Sequence, residues 1–434
     1  MKLDWFSPLP PAQTAVAQYT ARLLPALCRQ AALTLWTDQT DWDAQVEEFA
    51  TVRRYDPERM PWGELNRADM SIYHIGNSQF HRAIWRVSRD APGVVVLHDA
   101  RLQDFFRGVY QEHGQRVEYL KVAEQLYGVR GRNAASDFWR DTLPSAYMAE
   151  RYPFTPLAIA GALGVAVHTR ESYLAAKRWS ECPLVHAALP YPVVAAVPRR
   201  PSPPPYRLIL FGYISWNRRL NEVLKALALF PERGRLRLDV YGWLFNTEDA
   251  RARVRALGLD GLVTLHGFVP TTHLDAALAR AHLAINLRSP TMGEASFSQL
   301  QIWAYGLPSL VTAAGWYATL PGEAVAFVRP EHEQADLHAH WRALLADPGC
   351  FARMGEAGRR HLEAHHTPAA YAHAIIDLAT EARRCRADAA ARQLADRAAT
   401  EMSLWLAPAA PPDVFRHAAT SIAMLANKGT DVDA

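Results

Sequence analysis

The stretch from His282 to Thr312 reads HLAINLRSPTMGEASFSQLQIWAYGLPSLVT and decides the fold class. Its first apolar run alternates as in a buried strand, and a polar loop follows. Residues Phe297 to Tyr305 then show helical spacing, which Gly306 and Pro308 end. A second apolar run closes the stretch. The pattern predicts strand, loop, helix and strand, the repeating unit of a parallel sheet covered by helices.

The residues at the predicted helix start suit a ligand that is part phosphate and part sugar. Ser296 and Ser298 stand where free backbone N–H groups and the helix dipole favour an anion. Glu294, just before them, can accept hydrogen bonds from hydroxyl groups. A structural explanation competes, with Ser296 as an N-cap and Glu294 as a solvated acid of the first turn. Taken alone, these residues favour the structural explanation.

Composition limits the class of protein. The 434 residues are too many for one typical core and predict two domains of roughly 200 residues each. A formal net charge of +3 is too small to indicate nucleic-acid binding. The four cysteines lie far apart without metal-ligand spacing, which favours a reducing cytoplasm. No apolar run is long enough for a leader or a membrane span, so we expect neither.

Two series of alternating strand-like and helical segments are separated by the proline-rich run YPVVAAVPRRPSPPPY. Such a run cannot join a sheet interior and is typical of a domain boundary. We predict an N-terminal Rossmann-like domain at 1–192, with a helical insertion at about 102–151, and a linker at 193–206. A second Rossmann-like domain is predicted at 207–370, with C-terminal helices and a tail at 371–434.

Polar residues follow several predicted strands, and ligands of open α/β sheets bind at the carboxyl ends of strands. Arg218 and Arg219 follow the first strand of the second domain, where two guanidinium groups would bind a diphosphate. A pair of surface arginines is the structural alternative. The other candidates after strands are His74 and Asn77, His98 and Asp99, and Gly212.

Five segments carry a family resemblance: YHIGNSQFHRAIW, PGVVVLHDARLQDFF, LILFGYISWNRRLNEVLKAL, LHGFVPTTHLDAALARAHLAINLRSPTMGEASFSQL and AYGLPSLVTAAGWYATLP. In order and spacing they resemble the conserved blocks of the retaining glycosyltransferases of family four. The resemblance implies a GT-B fold, with two facing Rossmann-like domains, a cleft between them, and a C-terminal helix that crosses back to the first domain. It also implies that the second domain holds a nucleotide sugar and that no metal or other cofactor is needed.

The resemblance also implies roles for individual residues. Three would be catalytic: His98 at the donor sugar, Arg218 at the diphosphate and Glu294 at the sugar hydroxyls. The implied donor-binding residues are Gly212, Arg219, Ser296, Phe297, Ser298 and Gln301. His74, Asn77 and Asp99, singled out by their positions after strands of the first domain, are predicted to lie on the acceptor side.

The sequence departs from the family pattern at three places. The family's two acids are glutamates separated by seven residues, whereas here six residues separate Glu294 from Gln301, which is an amide. Tyr213 stands where a phosphate-binding arginine is common. The first loop, Pro10 to Ala17, lacks the usual glycine. These departures indicate altered affinity, an altered acceptor or reduced activity.

The expected function is retaining transfer of a sugar from a nucleotide diphosphate donor to an acceptor hydroxyl, in polysaccharide, lipopolysaccharide or other glycoconjugate assembly. The acceptor would be a glycan or a lipid-linked glycan, and basic residues between Arg101 and Arg151 would then meet a membrane surface. A nucleotide-sugar epimerase or hydrolase, and a binding subunit without turnover, remain alternatives. A metal-dependent GT-A enzyme is less favoured, although Asp41 and Asp43 form a D-x-D string.

Overall fold

The computed structural model describes residues 1–65, 67–195, 200–387, 389–391, 394, 395 and 398. These residues form two parallel sheets, each covered by helices, in the order of the two series predicted from the sequence. Of the predicted linker, residues 196–199 lie outside the described part. The predicted tail lies outside it as well, from residue 399 to the end.

The N-terminal domain contains a seven-stranded parallel sheet in the order β3-β2-β1-β4-β5-β6-β7. Its strands are β1 (Lys2–Phe6), β2 (Ala32–Thr37), β3 (Thr51–Arg54), β4 (Met70–Ile75), β5 (Val94–Leu97), β6 (Gly164–Val167) and β7 (Leu184–His186). Its helices are α1 (Ala15–Leu27), α2 (Trp62–Leu65), α3 (Arg82–Asp90), α4 (Gln103–Glu112), α5 (Arg116–Trp139), α6 (Ser145–Arg151), α7 (Thr155–Ile159) and α8 (Arg170–Lys177).

The C-terminal domain contains a six-stranded parallel sheet in the order β10-β9-β8-β11-β12-β13. Its strands are β8 (Tyr206–Phe211), β9 (Leu236–Tyr241), β10 (Val263–Gly267), β11 (Leu283–Asn286), β12 (Ser309–Thr312) and β13 (Ala326–Val328). Its helices are α9 (Leu220–Leu229), α10 (Thr247–Ala256), α11 (Thr271–Arg280), α12 (Phe297–Ala304), α13 (Glu333–Ala346) and α14 (Pro348–His365). The last described helix is α15 (Pro368–Arg384).

Burial on both faces explains why the central strands are continuously apolar. Strand β5, with the sequence VVVL, is buried at every position, and so is β11. β-branched residues pack well on a pleated surface that helices cover on both sides. The edge strands β7 and β10 are only partly buried, and the edge strand β3 is largely exposed. This edge strand was not predicted from the sequence.

The chain crosses between the domains twice, and the two crossings contact each other. Tyr191, before the linker, donates from its backbone N–H to the carbonyl of His366, at 2.9 Å. After α14 the chain returns, and α15 packs on α1, β5, β6 and β7 of the N-terminal domain. There the hydroxyl of Tyr19 donates to that of Tyr371, at 2.8 Å. Helix α15 therefore belongs to the core of the first domain.

The described part of the linker is anchored by one arginine. Arg200 donates from Nε to the carbonyl of Ala281 at 2.7 Å, and from Nη2 to the carbonyls of Tyr305 at 2.8 Å and Gly306 at 2.9 Å. Helix-end carbonyls are thereby satisfied by a side chain.

Among the residues that the structure describes, no helix combines the length and the apolar character needed to cross a membrane.

We expect Tyr371→Ala to destabilise the protein by about 3–5 kcal/mol, because this buried ring joins α15 to the first domain. Tyr371→Phe should cost only about 1 kcal/mol, the net value of one hydrogen bond. Urea unfolding followed by circular dichroism measures both. Tyr147→Ala, at an exposed tyrosine, is the control and should change little. Equal stability of Tyr371→Ala and the wild type would contradict the packing role.

Candidate functional site

The two domains meet through a loop that follows β11, residues 288–296, which we call the interface loop. The carbonyl of Met292 accepts a hydrogen bond from the backbone N–H of Ala100, at 3.0 Å. The carbonyl of Gly293 accepts one from Ser172 Oγ, at 2.7 Å. Gly293 has a φ of +77°, and a Cβ there would lie 2.6 Å from Ala100 Cβ. Only glycine permits this close approach of the two domains.

Arg218 is the most buried charge of the site, with 2% of its surface exposed. It lies in the 3₁₀ turn after β8, where Nη1 donates to Asn286 Oδ1 at 2.8 Å and Nη2 donates to the carbonyl of Phe211. Its Nε is buried and has no hydrogen-bond partner. Burial and the nearby Arg288 lower the Arg218 pKa to about 9. The group therefore remains cationic at neutral pH.

Gly212 and Ser298 adjoin this guanidinium. Gly212 follows β8 with a φ of +112°, and a Cβ there would lie 3.5 Å from Ser298 Oγ and 3.6 Å from Arg218 Nη2. The structure thus brings three of the predicted residues together at the start of α12. Ser296 is the N-cap of α12, since its Oγ accepts from the backbone N–H of Gln299 at 3.1 Å.

Phe297 and Gln301, which were also predicted to bind the donor, contact other protein side chains. The ring of Phe297 packs edge-on against Tyr191, with centroids 5.0 Å apart. Gln301 is 6% exposed and donates from Nε2 to Asp275 Oδ1, at 3.4 Å. Both residues therefore face protein groups of α11 and the linker region, and their roles toward a ligand stay predictions.

Glu294 projects from the interface loop and is largely buried. Its Oε2 accepts from the backbone N–H of Met292 at 2.6 Å, and its Oε1 lies 3.4 Å from Arg288 Nε as an ion pair. That Oε1 has no hydrogen-bond partner, although it is buried. A buried acceptor without a partner costs free energy, which a hydroxyl or N–H group of a ligand could offset by donating a hydrogen bond to it.

Asp99 follows β5 and faces Glu294 from the opposite domain. Its Oδ2 accepts from the backbone N–H of Asn77, at 2.7 Å. Burial, with the charge of Glu294 second, raises the Asp99 pKa to about 7. Asn77 in turn accepts at Oδ1 from the backbone N–H of Phe105, at 2.9 Å, and so tethers the start of α4.

His74, in β4, and His98, directly after β5, form a pair in the first domain. Nδ1 of His74 lies 2.9 Å from Nε2 of His98, so one ring donates to the other. The ring of Tyr19 contacts both imidazoles. Burial, assisted by neighbouring histidines such as His168, holds both pKa values well below 6.5. The two rings are therefore neutral at pH 7, and His74 fixes the orientation of His98.

Arg219 differs from Arg218 in having a partner of its own. Its Nε and Nη2 donate to Glu333 Oε1 and Oε2, at 2.9 and 2.8 Å. The backbone of Arg219 is left-handed, with a φ of +59°. The hydrogen bonds and charge of Glu333 raise the Arg219 pKa. The diphosphate role predicted for Arg219 stays a prediction, and its observed contact is with α13.

Tyr213, the residue that departs from the family pattern, stacks on Trp243. The ring centroids are 4.5 Å apart, the planes differ by 7°, and Tyr213 is 57% exposed. This side chain therefore lies on the surface after β8. It supplies no cation at the site.

The sequence analysis missed four residues that the structure places in or beside the site. Arg288 and Asn286 lie in the quoted stretch, and a polar loop after a buried strand was the available signal. Tyr317, whose hydroxyl is buried without a hydrogen-bond partner, and Glu333 come from distant segments. No local pattern marks the last two, because only folding brings them near.

The described residues contain no group of three or more His, Cys, Asp or Glu placed to hold a metal ion. Of the D-x-D string, Asp43 accepts at Oδ1 from the backbone N–H of Gln45, at 3.0 Å. It is the N-cap of a 3₁₀ turn. This cap accounts for that acid structurally.

Residues 218–377 match the family model described as "Glycosyl transferase-like". The matched range begins at Arg218 and includes the interface loop and α12. It covers most of the C-terminal domain and part of α15. No curated protein sequence matches the chain.

Solved structures share the architecture over most of the chain. HepE from Anabaena, in complex with UDP and glucose, has a TM-score of 0.58 and 14% identity, covering 87% of this chain and 98% of its own. Sucrose-phosphate synthase from Thermosynechococcus elongatus has a TM-score of 0.59 and 15% identity, covering 87% and 98%. WaaG, a glycosyltransferase involved in lipopolysaccharide biosynthesis, has a TM-score of 0.57 and 14% identity, covering 86% and 99%. The protein has the GT-B fold, as the family resemblance implied.

The raised pKa of Asp99 predicts how the stability of the protein depends on pH. Because its pKa is raised to about 7 in the folded protein, its contribution to stability is present at low pH and declines as pH rises from about 4 through 7. We expect Asp99→Asn to remove this decline, so that the variant gains stability relative to the wild type above pH 7. Melting temperatures from pH 5 to 8.5 measure the difference.

Asp90→Asn, at an exposed carboxylate, is the control and should shift all melting temperatures equally. Parallel curves for the wild type and Asp99→Asn would contradict the prediction.

Proposed function

We propose that the protein is a retaining glycosyltransferase that moves a sugar from a nucleoside diphosphate donor to an acceptor hydroxyl without a metal ion. The observation that carries the proposal is the buried Arg218, whose Nε lacks a hydrogen-bond partner at the carboxyl end of β8. The match of residues 218–377 to the glycosyl transferase-like model supports it. So does the fold shared with HepE, whose solved structure contains UDP and glucose.

The second domain would hold the diphosphate. Gly212 and Ser298 adjoin the Arg218 guanidinium at the start of α12, and the missing side chain of Gly212 would let an anion approach. An anion there would gain a charge-assisted hydrogen bond from Nε and the favourable end of the α12 dipole. As the glycosidic bond breaks, negative charge grows on the leaving phosphate. A fixed cation in a water-poor site stabilises that charge more than water does.

The first domain and the interface loop would hold the sugar and acceptor. Glu294 Oε1, buried without a hydrogen-bond partner, would accept from a hydroxyl of the donor sugar. His98, kept neutral and oriented by His74, would make a second polar contact with that sugar. Asp99, across the interface, would face the acceptor hydroxyl, which we propose belongs to a glycan or a lipid-linked glycan.

Retention requires the acceptor to attack from the face that the diphosphate leaves. The departing phosphate oxygen would take the acceptor proton, so that no protein nucleophile is needed. Closure of the interface loop on Ala100 and Ser172 would keep bulk water from the donor. Transfer is then favoured over hydrolysis.

A sugar-nucleotide-binding subunit without turnover is the second candidate. Two observations favour it: Gln301 contacts Asp275 and Arg219 is held by Glu333, so neither is free in this structure to grip a donor. Donor binding without transfer across a broad acceptor panel would support this candidate.

Arg218→Ala should abolish donor-dependent stabilisation, because it removes the buried cation. A nucleotide at a hundred times its dissociation constant adds about 2.7 kcal/mol to the stability of the wild type. Thermal shifts with UDP, GDP, ADP, dTDP and CMP, and with their sugar conjugates, measure this. Arg329→Ala, at an exposed arginine paired with Asp336, is the control. A full ligand shift in Arg218→Ala would contradict the proposal.

Glu294→Gln should reduce recognition of the sugar more than that of the nucleotide. We expect the affinity ratio of nucleotide sugar to nucleotide diphosphate to fall roughly tenfold, because a charged acceptor is lost. Isothermal titration gives both affinities, and Glu331→Gln, on the surface, is the control. With an active acceptor, NMR of the product should show the donor's anomeric configuration. Inversion would overturn the retaining mechanism.

A further inference from the structure

We propose that Arg288 is the second cation for the donor diphosphate, in the role that the sequence assigned to Arg219. The inference rests on the proposed function and deepens it. The observation is that two guanidinium groups, those of Arg218 and Arg288, share one site at the domain interface beside Glu294. The proposed ligand is the diphosphate of a nucleoside diphosphate.

The topology brings the two arginines together. Arg218 follows β8 and Arg288 follows β11, and these strands are neighbours at the point where the strand order of the second sheet reverses. Ligands of such sheets bind in the crevice at this point. The backbone of Arg288 is fixed there, since its N–H donates to Thr312 Oγ1 at 2.8 Å.

Electrostatics indicate an anion between them. Two neighbouring guanidinium groups repel each other, and Arg288 contributes to the lowered pKa of Arg218. Against the effect of burial, Tyr317, Glu294 and Asp99 raise the Arg288 pKa, and Glu294 lies 3.4 Å from its Nε. Arg218 instead donates to a neutral amide and a backbone carbonyl, so its charge is not balanced by a hydrogen-bonded carboxylate. A diphosphate supplies the missing negative charge.

The Arg288 side chain has the exposure that this role needs. Its Nε is buried without a hydrogen-bond partner, while 22% of the side chain remains accessible. The accessible part can receive a ligand, and the buried part holds the guanidinium in place. Tyr317 lies beside it, with a buried hydroxyl that also lacks a hydrogen-bond partner.

Arg219, to which the sequence assigned this role, is otherwise occupied, and Tyr213 stands where the family commonly has a phosphate-binding arginine. Nε and Nη2 of Arg219 donate hydrogen bonds to the carboxylate of Glu333. Tyr213 stacks on Trp243 and carries no positive charge. If the site needs a second cation, Arg288 supplies it from the neighbouring strand.

Arg288 would also link diphosphate binding to domain closure. It begins the interface loop, whose Met292 and Gly293 carbonyls accept hydrogen bonds from the first domain. An anion that holds Arg288 therefore orders the same loop that closes the interface. Donor binding and closure would stabilise each other.

The test is the affinity gained from the second phosphate. The probes are UDP with UMP, GDP with GMP, and ADP with AMP, and the base that binds the wild type most tightly is used for the variants. Arg288→Ala should reduce the affinity ratio of diphosphate to monophosphate roughly tenfold to a hundredfold, since a charge-assisted contact is lost. Arg288→Lys, which keeps the charge but not the planar fork, should reduce it less.

Two further variants separate ligand binding from folding. Arg288→Ala combined with Glu294→Gln leaves no unpaired buried carboxylate and should show the same reduced ratio. Arg219→Ala should lower the melting temperature, because Glu333 loses its partner, but should keep most of the wild-type ratio.

The outcomes are distinguishable. A wild-type ratio in both Arg288→Ala and Arg288→Lys, or a ratio that collapses in Arg219→Ala alone, overturns the assignment of Arg288. A wild type that binds no nucleoside diphosphate overturns the proposed function itself. If Arg288→Ala does not fold, Arg288→Lys and the double variant decide the question.

Discussion

Contact between the interface loop and the first domain is the constraint on which the site depends. The Met292 and Gly293 carbonyls, which a free loop would expose to water, accept hydrogen bonds from Ala100 and Ser172. The loop can come this close because Gly293 has no side chain. Once it is seated, Glu294 and Arg288 are directed into the interface, and polar groups of both sheets share one volume.

Several charged groups in this volume have incomplete hydrogen bonding. Three buried atoms have no hydrogen-bond partner: Arg218 Nε, Glu294 Oε1 and the hydroxyl oxygen of Tyr317. Burial and the charge of Glu294 raise the Asp99 pKa to about 7. Each such group costs free energy in a folded protein. Fully satisfied polar networks are the norm in cores, so a concentration of exceptions at one interface is typical of a ligand site. Helix α15 adds a second connection between the domains, because it follows α14 of the second domain and packs on α1, β5, β6 and β7 of the first.

The strands show what a local sequence pattern can and cannot predict. Apolar runs such as VVVL at Val94–Leu97 predict buried strands, and the structure has a strand there. Strand β3 escaped prediction because an exposed edge strand imposes no apolar pattern. Ser296 is the N-cap that its position indicated. For Arg219 the sequence showed only a basic residue near a helix start, and its contact with Glu333, 114 residues away, is not encoded locally.

By itself, the sequence determined the two α/β series and predicted the proline-rich boundary, because helix and strand periods and proline geometry act over short distances. The GT-B expectation came from the resemblance of five segments to the family-four glycosyltransferases. It also placed His98, Arg218 and Glu294 after strands, where ligands bind. Only the tertiary structure decided which charges meet: Arg288 with Arg218, Glu294 with Asp99, and Arg219 with Glu333. These pairings depend on strand order and domain closure, which bring distant residues together. A sequence pattern carries no direct record of such distances.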